Sequence, residues 1–221
     1  MVYMLNKDMF INDIFPRLRK LVLHYPFHRP SHEHLQTVGL PSLHHLCNLH
    51  SLNIVDFLEL PPHENAFPSH LTKITWKQVR VRNDFCVMNT LGWLTNLQIF
   101  KMGRQCSQVL FDLNVAAGEF PQLQVFQMRG MKVRSWRLDK SAMPHLQHLL
   151  IESCEYLNDL PEELWSLTYL AEVHALWPSQ ILANTLQNVN LKNGCKIIVS
   201  HAPPTGQSDQ NSLTDSLSVH T

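Results

Sequence analysis

A phrase of the form L-x-x-L-x-L, with apolar residues at its three L positions, returns seven times along this chain. Three copies open on an apolar residue and a proline: Phe15–Leu23 (FPRLRKLVL), Phe120–Met128 (FPQLQVFQM) and Met143–Ile151 (MPHLQHLLI). A fourth, Phe67–Trp76 (FPSHLTKITW), is the same phrase with one extra residue. Three more lack the proline and run through Leu49/Leu52/Ile54, Leu97/Phe100/Met102 and Leu170/Val173/Ala175. The first L position therefore falls at Leu18, Leu49, Leu71, Leu97, Leu123, Leu146 and Leu170, with successive spacings of 31, 22, 26, 26, 23 and 24 residues.

That recurrence constrains the fold more than any other feature of the chain. In L-x-L two apolar residues flank one outward residue, the period-2 alternation of a short strand. A single strand of this kind cannot bury its apolar face, so neighbouring repeats must stack it into a parallel sheet with a continuous core behind. Five of the six spacings lie within the roughly 20–29-residue period of the leucine-rich repeat. After Leu149-x-Ile151, Cys154 falls where that repeat places Asn or Cys inside its turn. Leu157-x-x-Leu160-Pro161-x-x-Leu164 then carries the chain round the far side. An amphipathic helix over 161–170 is disfavoured, because apolar residues at 164, 167, 170 and 173 drift off a 3.6-residue face. The fold expected is an α/β repeat solenoid: a leucine-rich-repeat horseshoe with a parallel concave sheet and a convex side of irregular loops and short helices.

The ends read differently. Residues 1–14 carry no repeat phrase and are expected as a lead-in or cap; 15–200 form the repeat domain, of about seven irregular repeats. The long first spacing contains Pro26 to His34, a loop insertion. Residues 195–199 (CKIIV) are a candidate last strand. Residues 201–221, rich in Ser, Thr, Gln, Asn and Asp, are expected as a disordered polar tail.

Several phrases together resemble the leucine-rich-repeat region of plant intracellular nucleotide-binding disease-resistance proteins, in particular the coiled-coil class. They are FPSHLTKITW (67–76), LGWLTNLQIFKMG (91–103), GEFPQLQVFQMRGMKVRSW (118–136) and MPHLQHLLIESCEYLNDLPEELWSLTYLAEV (143–173). The resemblance covers about residues 15–200 and implies pathogen sensing or an autoinhibitory contact with a nucleotide-binding module. It does not extend to nucleotide binding: none of the glycines at 39, 92, 103, 118, 130, 194 and 206 opens a G-x-x-x-x-G-K-[ST] loop.

Candidate contact residues are those pointing outward from the strands. Strand by strand they are Lys20, Val22 and His24; Ser51, Asn53 and Val55; Lys73, Thr75 and Lys77; Ile99 and Lys101; Val125, Gln127 and Arg129; His148, Leu150 and Glu152; Glu172, His174 and Leu176. Residues 1–140 hold 16 basic and 10 acidic residues, whereas 141–191 hold six acidic and no Lys or Arg. A basic strip in the middle strands would favour acidic protein partners. The partner-binding set expected on the concave face is Lys73, Lys77, Lys101, Gln127, Arg129, His148, Glu152 and His174.

Other chemistries find little purchase. There is no G-x-S-x-G elbow, no HExxH and no phosphate loop, so no enzyme and no cofactor is expected. Histidines 24, 28, 32 and 34, with 44, 45 and 50 close behind, lack metal-ligand spacing; Pro26 and Pro30 interrupt any helix, and no metal is expected. Five cysteines without CxxC spacing, 15 asparagines without a glycosylation sequon and the lack of a long apolar run point to a cytoplasmic chain with no membrane span. A net charge of zero gives no support for nucleic acid as partner. Trp76 is expected in the core, and Trp93, Trp136, Trp165 and Trp177 on connections packed against the convex side. The function this implies is non-enzymatic protein recognition in plant innate immunity, without the nucleotide-binding switch; oligomeric state is left open. The alternatives are a stand-alone leucine-rich-repeat adaptor or scaffold, or a truncated receptor fragment without activity.

Overall fold

A computed structural model describes residues 17–24, 40, 42–56, 66–78, 87–104, 108–189 and 194–201. The lead-in at 1–14, the insertion at 26–34 and the tail beyond 201 lie outside the described residues. Seven strands occupy the positions marked by the repeat phrase: β1 (Lys20–His24), β2 (Ser51–Val55), β3 (Lys73–Lys77), β4 (Ile99–Gly103), β6 (Val125–Arg129), β8 (His148–Glu152) and β9 (Glu172–Leu176). The candidate last strand is β10 (Lys196–Ser200). These eight form one parallel sheet in the order β1-β2-β3-β4-β6-β8-β9-β10, each strand pairing residue for residue with the next.

The register produces two apolar rows running across the sheet. One is Leu21, Leu52, Ile74, Phe100, Phe126, Leu149, Val173 and Ile197; the other runs from Leu23 through Trp76 and Met102 to Val199. Phe100 stacks on both Phe126 and Phe120, with ring centroids 5.6 and 6.2 Å apart. Trp76 is buried as its alternation requires.

Both ends of the strands are pinned by backbone alone. Leu49, Leu71, Leu97, Leu123 and Leu146, the first L of five repeats, each donate an N–H to the carbonyl three residues earlier at 2.8–3.2 Å. That closes a tight turn before the strand. The carbonyls of Arg19, His50, Thr72, Gln98, Gln124 and Gln147 then each accept two successive N–H groups from the next repeat, at 2.8–3.1 Å. At the other end Asp56, Gln78, Arg104, Gly130, Ser153 and Trp177, each the residue after a strand, adopt left-handed φ between 51 and 64°. Every one donates its N–H to the last strand residue of the following repeat, at 2.7–3.1 Å. The left-handed residue turns the chain out of the sheet while the ladder gains one more rung. Only Gly130 does so without the steric cost that a Cβ brings, about 1–2 kcal/mol.

Away from the main sheet the connections hold more regular structure than one strand per repeat. β5 (Phe111–Val115) and β7 (Val133–Leu138) pair in parallel as a second, two-stranded sheet, with α1 (Val87–Leu91) preceding β5. The inward side chains of β5 and β7 close the core from this side: Trp136 meets Phe126 edge-on at 5.6 Å. Trp136 is thus a strand residue rather than part of an irregular connection. The succeeding repeat has a 3-10 turn, Glu162–Ser166, in place of another strand. The next has α2 (Gln180–Gln187), whose Ser179 caps it by accepting from the Leu182 N–H at 3.1 Å. Two of the expected tryptophan placements are corrected: Trp93, in the turn after α1, and Trp177, the left-handed residue after β9, are 54 and 46% exposed rather than packed away. Trp165 packs half-buried against it. Among the described residues no helix is long and apolar enough to cross a membrane.

Candidate recognition surface

The outward positions of the parallel strands align into three rows. Lys73 belongs to the first row, with Ile99, Val125, His148 and Glu172; Lys101 belongs to the second, with Thr75, Gln127, Leu150 and His174; Lys77 belongs to the third, with Gly103, Arg129 and Glu152. All eight expected contact residues therefore lie on one face, but they divide into two chemically distinct halves.

In the first half, Lys73 and Lys77 occupy the two ends of β3 and Lys101 sits beside Thr75 between them. Strand spacing and rise place the Lys101 Cα about 8 Å from each of the other two. Lys77 is exposed and the other two are half-buried. Among the described residues no ion pair links these three ammonium groups to a carboxylate. Their charges add, and at that separation salt only partly screens them.

The side chains of the second half are engaged with one another. Arg129 Nε lies 2.9 Å from Glu152 Oε2 on the adjacent strand. Gln127 is only 8% exposed, and with its amide oxygen toward the guanidinium it accepts from Arg129 Nη2 at 3.2 Å. Glu172 joins the two histidines: its Oε2 is 3.2 Å from His174 Nε2 and 3.6 Å from His148 Nδ1. Glu172 was outward in the sequence but absent from the expected contact set. Its role has a sequence signal, because positions 148 and 172 hold the same place in successive repeats. The same reasoning pairs 129 with 152.

Elsewhere the acidic and thiol groups are structural. Asp112 on β5 accepts from Ser135 Oγ at 2.7 Å and takes a bidentate pair from Arg134 on β7, at 3.1 and 3.0 Å. These contacts hold its carboxyl below the ordinary aspartate range, the Ser135 hydroxyl first. Cys154 is fully buried; burial pushes its thiol up to about 11, and Sγ lies 3.6 Å from the Glu152 carbonyl. A thiol so far above neutrality is no nucleophile. Among the described residues no group of three or more His, Cys, Asp or Glu is arranged to hold a metal ion. His28, His32 and His34 lie outside the described residues.

No protein-family model matches the chain. Similarity to known proteins is nonetheless found, among disease resistance proteins of Arabidopsis thaliana. The chain is 28% identical to probable disease resistance protein At1g59620 over 159 residues, 70% of this chain and 17% of that protein. It is 32% identical to probable disease resistance protein RF9 over 102 residues, 45% of this chain and 9% of the relative. It is 27% identical to disease resistance protein RPP8 over 132 residues, 59% of this chain and 14% of the relative. The chain thus spans less than a fifth of the length of these relatives, and the likeness read from the repeat phrases is present in their sequences: it is similar to a stretch of plant disease resistance proteins.

Proposed function

We propose that this chain is a leucine-rich-repeat horseshoe acting as a non-enzymatic protein-recognition module in plant innate immunity. The observation that carries the reading is the in-register parallel sheet, whose outward rows present a lysine cluster without an ion pair among the described residues beside a half whose side chains are bonded to one another. Its similarity to plant disease resistance proteins supplies the biological setting. A protein partner, whether a pathogen effector, a host protein or a nucleotide-binding module, docks across Lys73, Lys77 and Lys101 with an acidic patch. Gln127, Arg129, His148, Glu152 and His174 form a more rigid, pre-bonded flank that selects by shape and hydrogen bonding. Docking on this face shifts a switch only if the partner prefers one of its states. The setting is cytoplasmic, in keeping with the free thiols of Cys47, Cys154 and Cys195.

The test is co-precipitation from leaf tissue between the chain and a panel of secreted pathogen proteins, repeated with Lys73→Glu/Lys77→Glu/Lys101→Glu. Expected is one or more acidic binders whose capture falls at least tenfold in the triple variant and is unchanged in Arg137→Gln, on the other sheet. Capture insensitive to the triple change refutes the assignment of the face.

A further inference from the structure

β10 lies at one end of the main sheet, and among the described residues no strand pairs with its outer edge. The stack ends there on apolar side chains. Ile197 and Val199 continue the two inward rows, yet both are only partly buried, as is the outward-facing Ile198. Their neighbours on β9, Val173 and Ala175, are fully buried. At the other end of the sheet, Leu21 and Leu23 of β1 are buried too. The β1 end is closed over its core and the β10 end is not.

The main chain of β10 is open on the same side. The Lys196 N–H donates to the Ala171 carbonyl at 2.8 Å, and the Ser200 carbonyl accepts from the Trp177 N–H at 2.7 Å. Successive residues of a strand address its two sides in alternation. Lys196, Ile198 and Ser200 therefore bond toward β9, and Ile197 and Val199 aim their N–H and C=O groups away from it. Such an edge is a template for another strand.

The edge is complementary to itself. Two copies placed antiparallel about Ile198 set Ile197 of each opposite Val199 of the other. These are the residues whose peptide groups point outward, so each opposed pair exchanges both of its N–H···O bonds, and the Ile198 pair between them takes the closer, non-hydrogen-bonded spacing. A slip of one residue would oppose groups that already bond to β9. Opposed residues share a face, so Ile197 and Val199 of one copy extend the inward rows of the other, and the two Ile198 side chains meet on the outward face. Charge permits the pairing. Lys196 is the strand's one charged residue, and it falls opposite Ser200. The two Lys196 positions stand roughly 13 Å apart along the pair, beyond the Debye length of about 8 Å in physiological salt. The chain continues from Ser200 at opposite ends of the pair, so neither copy's continuation crosses the contact.

We propose that this chain self-associates through β10 into a two-fold dimer whose two main sheets become one. The interface is isologous, each copy giving the same five residues. Both outward faces lie on the same side of the joined sheet. The lysine clusters, on β3 and β4 of each copy, stay clear of the contact, and the dimer is bivalent for the acidic partner proposed above.

The experiment is sedimentation velocity on the full chain. A five-residue edge belongs to the small, weakly associating class of interfaces, so concentration is varied from about 5 to about 500 µM. Expected is a passage from monomer to dimer across that range. Ile198→Lys sets two cations against each other on the two-fold axis, and Ile198→Glu sets two carboxylates there; each alone should associate at least tenfold more weakly. An equimolar mixture of the two should recover dimer as a heterodimer, which also shows that both variants fold. Lys73→Glu/Lys77→Glu/Lys101→Glu should dimerise as the parent does, which separates this proposal from the fate of the lysine face. A parent that stays monomeric, a dimer that Ile198→Lys leaves intact, or a mixture that recovers no dimer overturns the proposal.

Discussion

Gly92→Ala tests whether the packing behind the sheet is as tight as its geometry indicates. Gly92 follows α1, and a Cβ built there would stand 2.7 Å from both Cγ and Cδ of Glu119 and 2.8 Å from the Met88 carbonyl oxygen. Its φ is not left-handed, so backbone conformation alone would accept alanine. The side chain in the way is not free to move. Glu119 is buried, its Oε2 accepts from the Ala116 N–H at 2.7 Å, and its carbonyl accepts from the Met143 N–H at 3.0 Å. Gly92 is tied to the same region, its own carbonyl accepting from the Phe120 N–H at 2.7 Å. Overpacking of this kind costs about 1–3 kcal/mol, and the gain from restricting the unfolded chain offsets about 0.4–1 of it. The net expectation is a loss of about 1.5 kcal/mol, or about 3–6 °C in Tm for a chain of this size. Glu119→Ala should recover roughly half of that loss in the double variant, because the Met88 carbonyl remains; the coupling is read from a urea-denaturation cycle. A neutral or stabilising Gly92→Ala, or a loss that Glu119→Ala leaves untouched, refutes the reasoning.

Other predictions follow from the strand ends, the second sheet, the buried carboxyl and the thiols. Gly130→Ala should cost about 1 kcal/mol, since φ is +55° there while the space around the new Cβ is adequate; Gln78→Gly, at the equivalent position, should stabilise by about 0.5 kcal/mol. Asp112→Asn should destabilise by about 0.5 kcal/mol at neutral pH, a value discounted for the exposure of the pair. Because the Asp112 carboxyl is depressed, its contribution is present above the ordinary aspartate range, near 3.8, and is lost as pH falls through the folded-state value. Parent and variant stabilities, followed by denaturation at successive pH values, should therefore converge in acid. Glu119 is the opposite case. Burial raises its carboxyl, the Ala116 N–H opposing and Asp139 adding to the shift, so its ionised form penalises the fold at neutrality; the penalty fades as pH falls toward 4.5, a trend Glu119→Gln should abolish. Under native conditions iodoacetamide should modify exposed Cys47 and spare Cys154, as read by peptide mass mapping.

The main sheet was legible because its strands share one local rule. Alternation within L-x-L sets the inward face, and the seven first-L positions set the phase, so Trp76 and Cys154 could be assigned to the interior from their places in the phrase alone. The second sheet was not, although Phe111–Val115 alternates as clearly as any main strand, with Phe111, Leu113 and Val115 buried and Asp112 and Asn114 exposed. A period that assigns one strand to each repeat leaves no place for another, and only the paired geometry of two consecutive repeats creates it. α2 carried a local signal in its Ser179 cap, overshadowed by the same repeat logic. At the candidate surface the sequence placed each outward residue on the right face but treated the charges as independent. Ion pairing across strands depends on side-chain reach as well as register, which is why Arg129 looked like a free cation and is engaged by Glu152.

The pinning of successive strands of the main sheet by main-chain groups has a consequence for how such a surface changes over generations. The double-acceptor carbonyls at one end and the left-handed N–H donors at the other ask nothing of the side chains between them. Three outward positions on each of eight strands make 24 places, and of those described as buried only Gln127 is committed to the interior. Substitution at the rest rewrites what the sheet can hold without disturbing the scaffold that displays it. Fold and specificity are in this way inherited on separate alphabets: one of leucines and peptide groups under strict constraint, the other free to be respelled one letter at a time.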